Sequence, residues 1–206
     1  MRTRLVLLAS MPEVDQRHLC LPGGREIEPV PDPARGLFGG EVTDARWHGS
    51  DPASAATAGQ LGFATAPAPL LRARELGAWA GRSLVELADE VPAEVARLQA
   101  DLEFAPPGGE SLAEVIDRVG AWFDDAAAAG GGRSLVVVSP EVVRAAVAVA
   151  LDAPVAMVRL DVVALSRTVL THDGSAWRVR TVASTARSDD QTDTGSGVHS
   201  VDGSAS

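Results

Sequence analysis

Four histidines, one cysteine and a scatter of arginines and carboxylates are the side chains of this 206-residue chain that could move a proton, attack an electrophile or hold an anion. Arg17-His18 sets an imidazole beside a guanidinium. The polar Asp15-Gln16 before it makes a poor strand end from which to aim such a pair. His48 lies near the end of a short apolar segment and can face a pocket, although a lone histidine there is more often a hydrogen-bonded structural group. His172 falls in an expected hairpin and His199 in a polar tail. Ser10 and Ser139 each follow an apolar run, but a serine nucleophile needs a general base in contact, and the sequence offers no obvious one. Glu13 and Glu75 are candidate acids, and Arg17, Arg72, Arg74 and Arg144 candidate anion ligands; a solvated side chain is the ordinary reading of each. No His, Cys and carboxylate cluster has metal-ligand spacing, so neither metal nor cofactor is expected.

Composition narrows the field. All 18 basic residues are arginine, lysine, tyrosine and asparagine are absent, and the formal net charge is −10. Nucleic-acid binding rests on clustered cations that neutralise phosphates, and no such cluster exists here. With 46% hydrophobic residues the chain can bury one substantial core. The single Cys20 cannot form an internal disulfide or by itself a structural zinc site, which fits a reducing cytoplasm. The apolar run 5–9 is too short for a signal-peptide core, and no stretch approaches the roughly 20 apolar residues that span a bilayer. A soluble, cytoplasmic protein is expected, with an unidentified small molecule or protein as partner and no readable oligomeric state.

The elements that would position these side chains follow from periodicity and punctuation. Residues 5–9 form an unbroken apolar run, as in a strand covered on both faces of a parallel sheet. A Pro- and Gly-rich loop over 12–40 should lie at the carboxyl edge of that sheet, where binding sites gather. Residues 42–48 predict a second strand, and Asp51 or Ser54 can cap a helix to about residue 63. Residues 67–81 read as a connecting loop with a buried tryptophan. Helices are expected over 83–91 and 92–102, the second with proline in its first turn. Pro106-Pro107-Gly108-Gly109-Glu110-Ser111 then breaks regular structure, and Ser111 can cap a helix whose apolar residues recur at 112, 115, 116, 119, 122 and 123. Residues 135–138 are the strongest strand signal, 141–151 return to helix, and 157–165, 167–171 and 177–182 are β-like, the latter two joined by Asp173-Gly174. After residue 183 little remains to bury, so 1–183 should be one domain and 184–206 a disordered tail.

Several motifs in this order resemble the histidine phosphatase superfamily, which has a phosphoglycerate-mutase-like fold. Pro106-Pro107-Gly108-Gly109-Glu110-Ser111 followed by Arg118-Val119 is similar to a segment of its alpha-ribazole-phosphatase-like branch. Gly77-Ala78-Trp79-Ala80-Gly81 resembles the G-x-W-E-G loop, Thr57-Ala58 a T-A pair that closes the second motif, and 135–145 the final strand-to-helix turn. The resemblance implies an α/β, three-layer architecture: a mostly parallel central sheet flanked by helices, ending in a C-terminal β-hairpin and a disordered tail. It also implies a phosphohistidine mechanism, with a nucleophilic histidine after the first strand, arginines and a second histidine on the phosphoryl oxygens, and a carboxylic acid for the leaving group. The corresponding positions here are Ala9, Ser10, Ala53, Ala73 and Ser139, so the catalytic set is expected to be absent. The resulting expectation is a pseudophosphatase that binds a small metabolite or partner, with Ser10, Glu13, Arg17, His18, His48, Ser139 and Arg144 as possible ligand contacts. The alternatives are an enzyme of different chemistry in a remodelled site, with His18, His48, Glu13 or Glu75 as acid or base, or an active phosphomonoester phosphatase with His18 as nucleophile.

Overall fold

The hydrophobic runs assemble into a six-stranded sheet in a computed structural model that describes residues 2–14, 19–32, 34, 43–98 and 100–185. In chain order the strands are β1 (Thr3–Ala9), β2 (Ala45–Gly49), β3 (Ala66–Ala68), β4 (Gly132–Val138), β5 (Arg167–His172) and β6 (Trp177–Ser184). Their order across the sheet is β3-β2-β4-β1-β5-β6. The pairings among β1, β2, β3 and β4 are parallel, and β5 and β6 add an antiparallel hairpin beside β1. The expected mostly parallel sheet and C-terminal hairpin are both present.

Alternation along the two central strands sorts their side chains to opposite faces. Leu5, Leu7, Ala9, Val136 and Val138 pack against helices α4 (Leu112–Ala128) and α5 (Pro140–Leu151). Val6, Leu8, Leu135 and Val137 pack on the other face with Ala58 of α1 (Pro52–Gln60), Leu61 and Phe63. Both faces are therefore covered, which is why these strands read as continuous apolar runs. A smaller cluster of Leu76, Trp79, Leu87, Leu98 and Phe104 holds the short helices α2 (Leu84–Glu90) and α3 (Pro92–Leu98).

Helix starts follow the capping residues. Asp51 caps α1, Ser83 caps α2 and Ser139 caps α5, each accepting backbone N–H groups of the first turn. At α4 the Ser111 hydroxyl accepts from Glu114 N at 3.1 Å while the Glu114 carboxylate accepts from Ser111 N at 2.7 Å, a reciprocal capping box. Of the six periodic apolar residues, Leu112, Val115, Val119 and Phe123 are fully buried, and Ile116 and Trp122 pack partly buried against them.

Several expectations need correction. Residues 157–165 form no strand: a short helix, α6 (Ala156–Arg159), buries Met157 in the core. The chain then runs past the end of β1, where Leu165 N donates to Ala9 O and Ala9 N donates to Ser166 O. Both edges of β1 are already taken by β4 and β5, so this apolar segment has no strand to pair with. Residues 67–81 are more ordered than a loop, holding the end of β3 and single 3₁₀ turns at Pro69–Leu71 and Gly77–Trp79; Trp79 is buried as expected. α1 stops at Gln60 and α3 at Leu98, each short of its expected end. β6 extends through Ser184, past the expected boundary; 186–206, like most of 33–42, lie outside the described residues.

Removing the Ser111 hydroxyl deletes one half of the capping box without opening a cavity. Ser111→Ala is expected to lower unfolding free energy by about 1 kcal/mol, measured by urea denaturation.

Candidate functional site

Parallel pairing brings four chain exits to one edge of the sheet. Ala9 stands opposite Val138, His48 opposite Val137 and Gly49 opposite Ala68, so the residues after β1, β2, β3 and β4 leave side by side. Above them lies a cavity of about 850 Å³. Ser10, Ala53, Ala73 and Ser139 all line it, whereas Ala9 is sealed in the sheet. The positions that the resemblance makes catalytic thus converge on one space, with two hydroxyls and two methyls as their side chains.

Each exit is held locally. Ser10 N donates to Val138 O at 2.7 Å, tying the ends of β1 and β4 together. Met11 N donates to the Thr57 hydroxyl at 2.9 Å, and that hydroxyl donates in turn to Ala53 O at 2.7 Å. Asp51 accepts from Ser54 N with one oxygen and, at 3.1 Å, from Ala73 N with the other. The Ser139 hydroxyl accepts from Val142 N.

The wall that carries residues 72–75 is fixed by Glu110 and Arg118. Arg118 Nε lies 2.7 Å from one Glu110 oxygen and Nη2 3.0 Å from the other, with both side chains 9% exposed. Arg118 also donates to Leu70 O and Ala73 O, while Glu110 accepts from Arg72 and Glu75 N. Beside this pair Ala78 N donates to Pro107 O and Glu110 N to Glu75 O, so the two glycine-containing motifs pack backbone to backbone. Gly77 has φ +52°, and a Cβ there would run into Pro107 O.

The ionisable candidates take up different places. Glu13 lines the cavity but is buried rather than solvated: its carboxylate accepts from Gly23 N at 2.9 Å and Gly24 N at 2.8 Å. Arg74 is likewise no solvated side chain. Its guanidinium donates to Glu110 O, Leu98 O and Phe104 O and stands 3.7 Å from Glu141. Burial pulls Arg74 down from the usual arginine range, against Glu141 and Glu110. Glu75 is exposed and pairs with Arg72 at 2.9 Å. His48 stands apart from the lining, its Nδ1 2.9 Å from the Thr65 hydroxyl, and His172 stacks on Trp177 in the hairpin. Among the described residues no histidine lines the cavity, and no His, Cys, Asp and Glu group could hold a metal. Arg17 and His18 lie outside the described residues.

Sequence reasoning passed over Glu141. It sits in the first turn of α5, one residue beyond Ser139-Pro140, 3.7 Å from Arg74 and 3.9 Å from Arg144. Its i, i+3 spacing with Arg144 on an amphipathic helix was the available signal. Enclosure in the cavity wall pushes the Glu141 carboxyl up from 4.5, against the pull of Arg74 and then Arg144.

Three comparisons place this geometry among known proteins. Residues 53–185 match the model of the histidine phosphatase superfamily (branch 1). No curated protein matches the chain. Among solved structures, the alpha-ribazole phosphatase from Shigella flexneri superposes with a TM-score of 0.76 at 15% identity, over 88% of this chain and 96% of that one. A mycobacterial glucosyl-3-phosphoglycerate phosphatase gives 0.74 at 21% identity, over 90% and 100%. Mycobacterial hydrolase 1 gives 0.77 at 23% identity, over 90% and 100%. At these identities the likeness is one of fold.

Two outcomes test the wall. Arg118→Ala strands a buried Glu110 and is expected to cost on the order of 3–5 kcal/mol in urea unfolding. Because the folded-state pKa of Glu141 is raised, folding is favoured while that carboxyl keeps its proton, and this contribution is lost as pH climbs through the range above 4.5. Glu141→Gln is expected to remove that decline from the wild-type profile of unfolding free energy against pH.

Proposed function

We propose, from the premise that this chain belongs to the histidine phosphatase superfamily (branch 1), that its carboxyl-edge cavity binds a small metabolite without hydrolysing phosphomonoesters. The observation that carries this reading is the convergence of Ser10, Ala53, Ala73 and Ser139 on the cavity. Phosphoryl transfer through a histidine needs an imidazole poised for attack, cations around the oxygens and an acid for the leaving group. None of those four side chains supplies any of them. The surrounding charge points the same way. Glu13, Asp51 and Glu75, with Glu141 beside them, are set against Arg72, Arg74 and Arg144, so the described lining carries no net positive charge to attract a phosphate dianion.

The names of the solved relatives favour a second reading, phosphomonoester hydrolysis. Its nucleophile would be His18, which precedes the cavity-lining Leu19.

Incubation with a panel of phosphomonoesters decides between them. No release of inorganic phosphate above the protein-free control is expected, together with a thermal shift from at least one unphosphorylated metabolite. Phosphate release abolished by His18→Ala would establish the second reading, and turnover abolished by Ser10→Ala would sink the first.

A further inference from the structure

We infer that the cavity's ligand is an amphipathic carboxylate, its head received by Arg144 and its apolar body by the leucine side chains of the lining; this rests on the binding reading above. The starting point is an unfilled donor. Arg144 lines the cavity with its side chain 32% exposed, yet its Nε is buried without a hydrogen-bond partner. Buried N–H groups are nearly always paired, and the orphan Nε marks a guanidinium that the fold does not satisfy, while the exposed part of the same side chain is what the cavity offers to a ligand. The nearest carboxylate, Glu141, is 3.9 Å from Nη2 and is shared with Arg74 at 3.7 Å. Arg74 has its donors on three backbone carbonyls, and Arg72 is committed to Glu75 and Glu110. Among the described lining residues, Arg144 is the guanidinium that makes no hydrogen bond to the rest of the fold, whereas Arg72 is anchored through its Nε and Nη2.

One planar fork matches one carboxylate in charge and geometry. A phosphomonoester dianion brings a second charge into a lining that already holds Glu13, Asp51 and Glu75, which disfavours it relative to a carboxylate.

The rest of the lining describes the body of the ligand. Leu19, Leu21, Leu84 and Leu98 face the cavity, and Met157 and Val162 extend the apolar surface near α5. Leu19 is 56% exposed, an apolar side chain that a ligand's tail would cover. About 850 Å³ falls within the roughly 300–1,000 Å³ of small-molecule sites, which are mostly apolar with a few placed polar groups.

Three probes sharing one tail read the head group: decanoate, decanol and decyl phosphate, each below its micelle-forming concentration and titrated into the full chain. Binding is followed by calorimetry and by protection of Cys20, the single cysteine and part of the lining, from iodoacetamide. Decanoate is expected to bind roughly 10-fold or more tightly than decanol, the worth of charge-assisted hydrogen bonds, and more tightly than decyl phosphate. Arg144→Ala should erase the advantage over decanol, and Arg144→Lys, which keeps the charge and loses the fork, should keep only part of it. Glu141→Gln frees the fork from its competitor and should strengthen decanoate binding, a gain that damage to the fold could not produce. Equal affinity for decanoate in wild type and Arg144→Ala, or decyl phosphate as the tightest probe, would overturn the inference. Phosphate release from decyl phosphate would instead overturn the non-hydrolytic reading, while the decanoate ranking and its dependence on Arg144 would still uphold the carboxylate site.

Discussion

The buried pair of Glu110 and Arg118 is the interaction on which the cavity depends. A carboxylate and a guanidinium with little exposure lose their hydration, and the cost is recovered only when nearly every lone pair and N–H finds a partner. Here that requirement shapes the wall. Arg118 spends its remaining donors on Leu70 O and Ala73 O, and Glu110 takes Arg72 and the backbone of Glu75. The segment 70–75 is therefore fixed by the need to satisfy two buried charges rather than by regular secondary structure. The Pro-Pro-Gly-Gly stretch serves the same end. Its glycines let its backbone lie against residues 75–78, which brings Glu110 into reach of Arg118 about two helix turns beyond the Ser111 cap.

The sheet contributes placement and little chemistry. Parallel strands release their chains at one edge, and β1, β4, β2 and β3 lie in succession, so loops distant in sequence share one space. The antiparallel hairpin beyond β1 closes the sheet on the other side and sends no loop over that edge between its strands. Helices α4 and α5 brace the sheet from one face only. The N-terminal end of α5 and its cap thereby bring Ser139, Glu141 and Arg144 to the cavity lining.

Much of this was legible from residues alone where local physics decides. The runs 5–9 and 135–138 are apolar on both faces, and the caps at Asp51 and Ser111 are marked by residue type. The family resemblance located the four converging positions through motif order, which no periodicity could do. What stayed hidden depends on tertiary partners. Residues 157–165 carry a β-like composition, yet no free strand edge is beside them. Arg74 and Glu13 look like solvated charges until the carbonyls and glycine amides that satisfy them are brought in from residues 10 to 36 positions away. Glu141 and Arg144 carried a helical signal, but their relation to Arg74 spans the sheet edge and has no trace in local sequence.

The way the four converging positions are held explains how such a scaffold can carry more than one chemistry. Ser10 is fixed by its N–H on Val138 O, Ala53 by its carbonyl on the Thr57 hydroxyl, and Ala73 by its N–H on Asp51 and its carbonyl on Arg118. Only Ser139 uses its side chain, as a helix cap. At three of the four sites the backbone does the structural work and the side chain projects into the cavity. A change of side chain there alters the chemistry of the cavity lining and leaves the supporting hydrogen bonds in place. The residues that cannot change so freely are the ones beneath: Asp51, Thr57, Glu110 and Arg118, each bonded to backbone that is remote in sequence. Fold and site thus rest largely on separate sets of side chains, with Asp51 and Ser139 serving both as helix caps and as cavity lining.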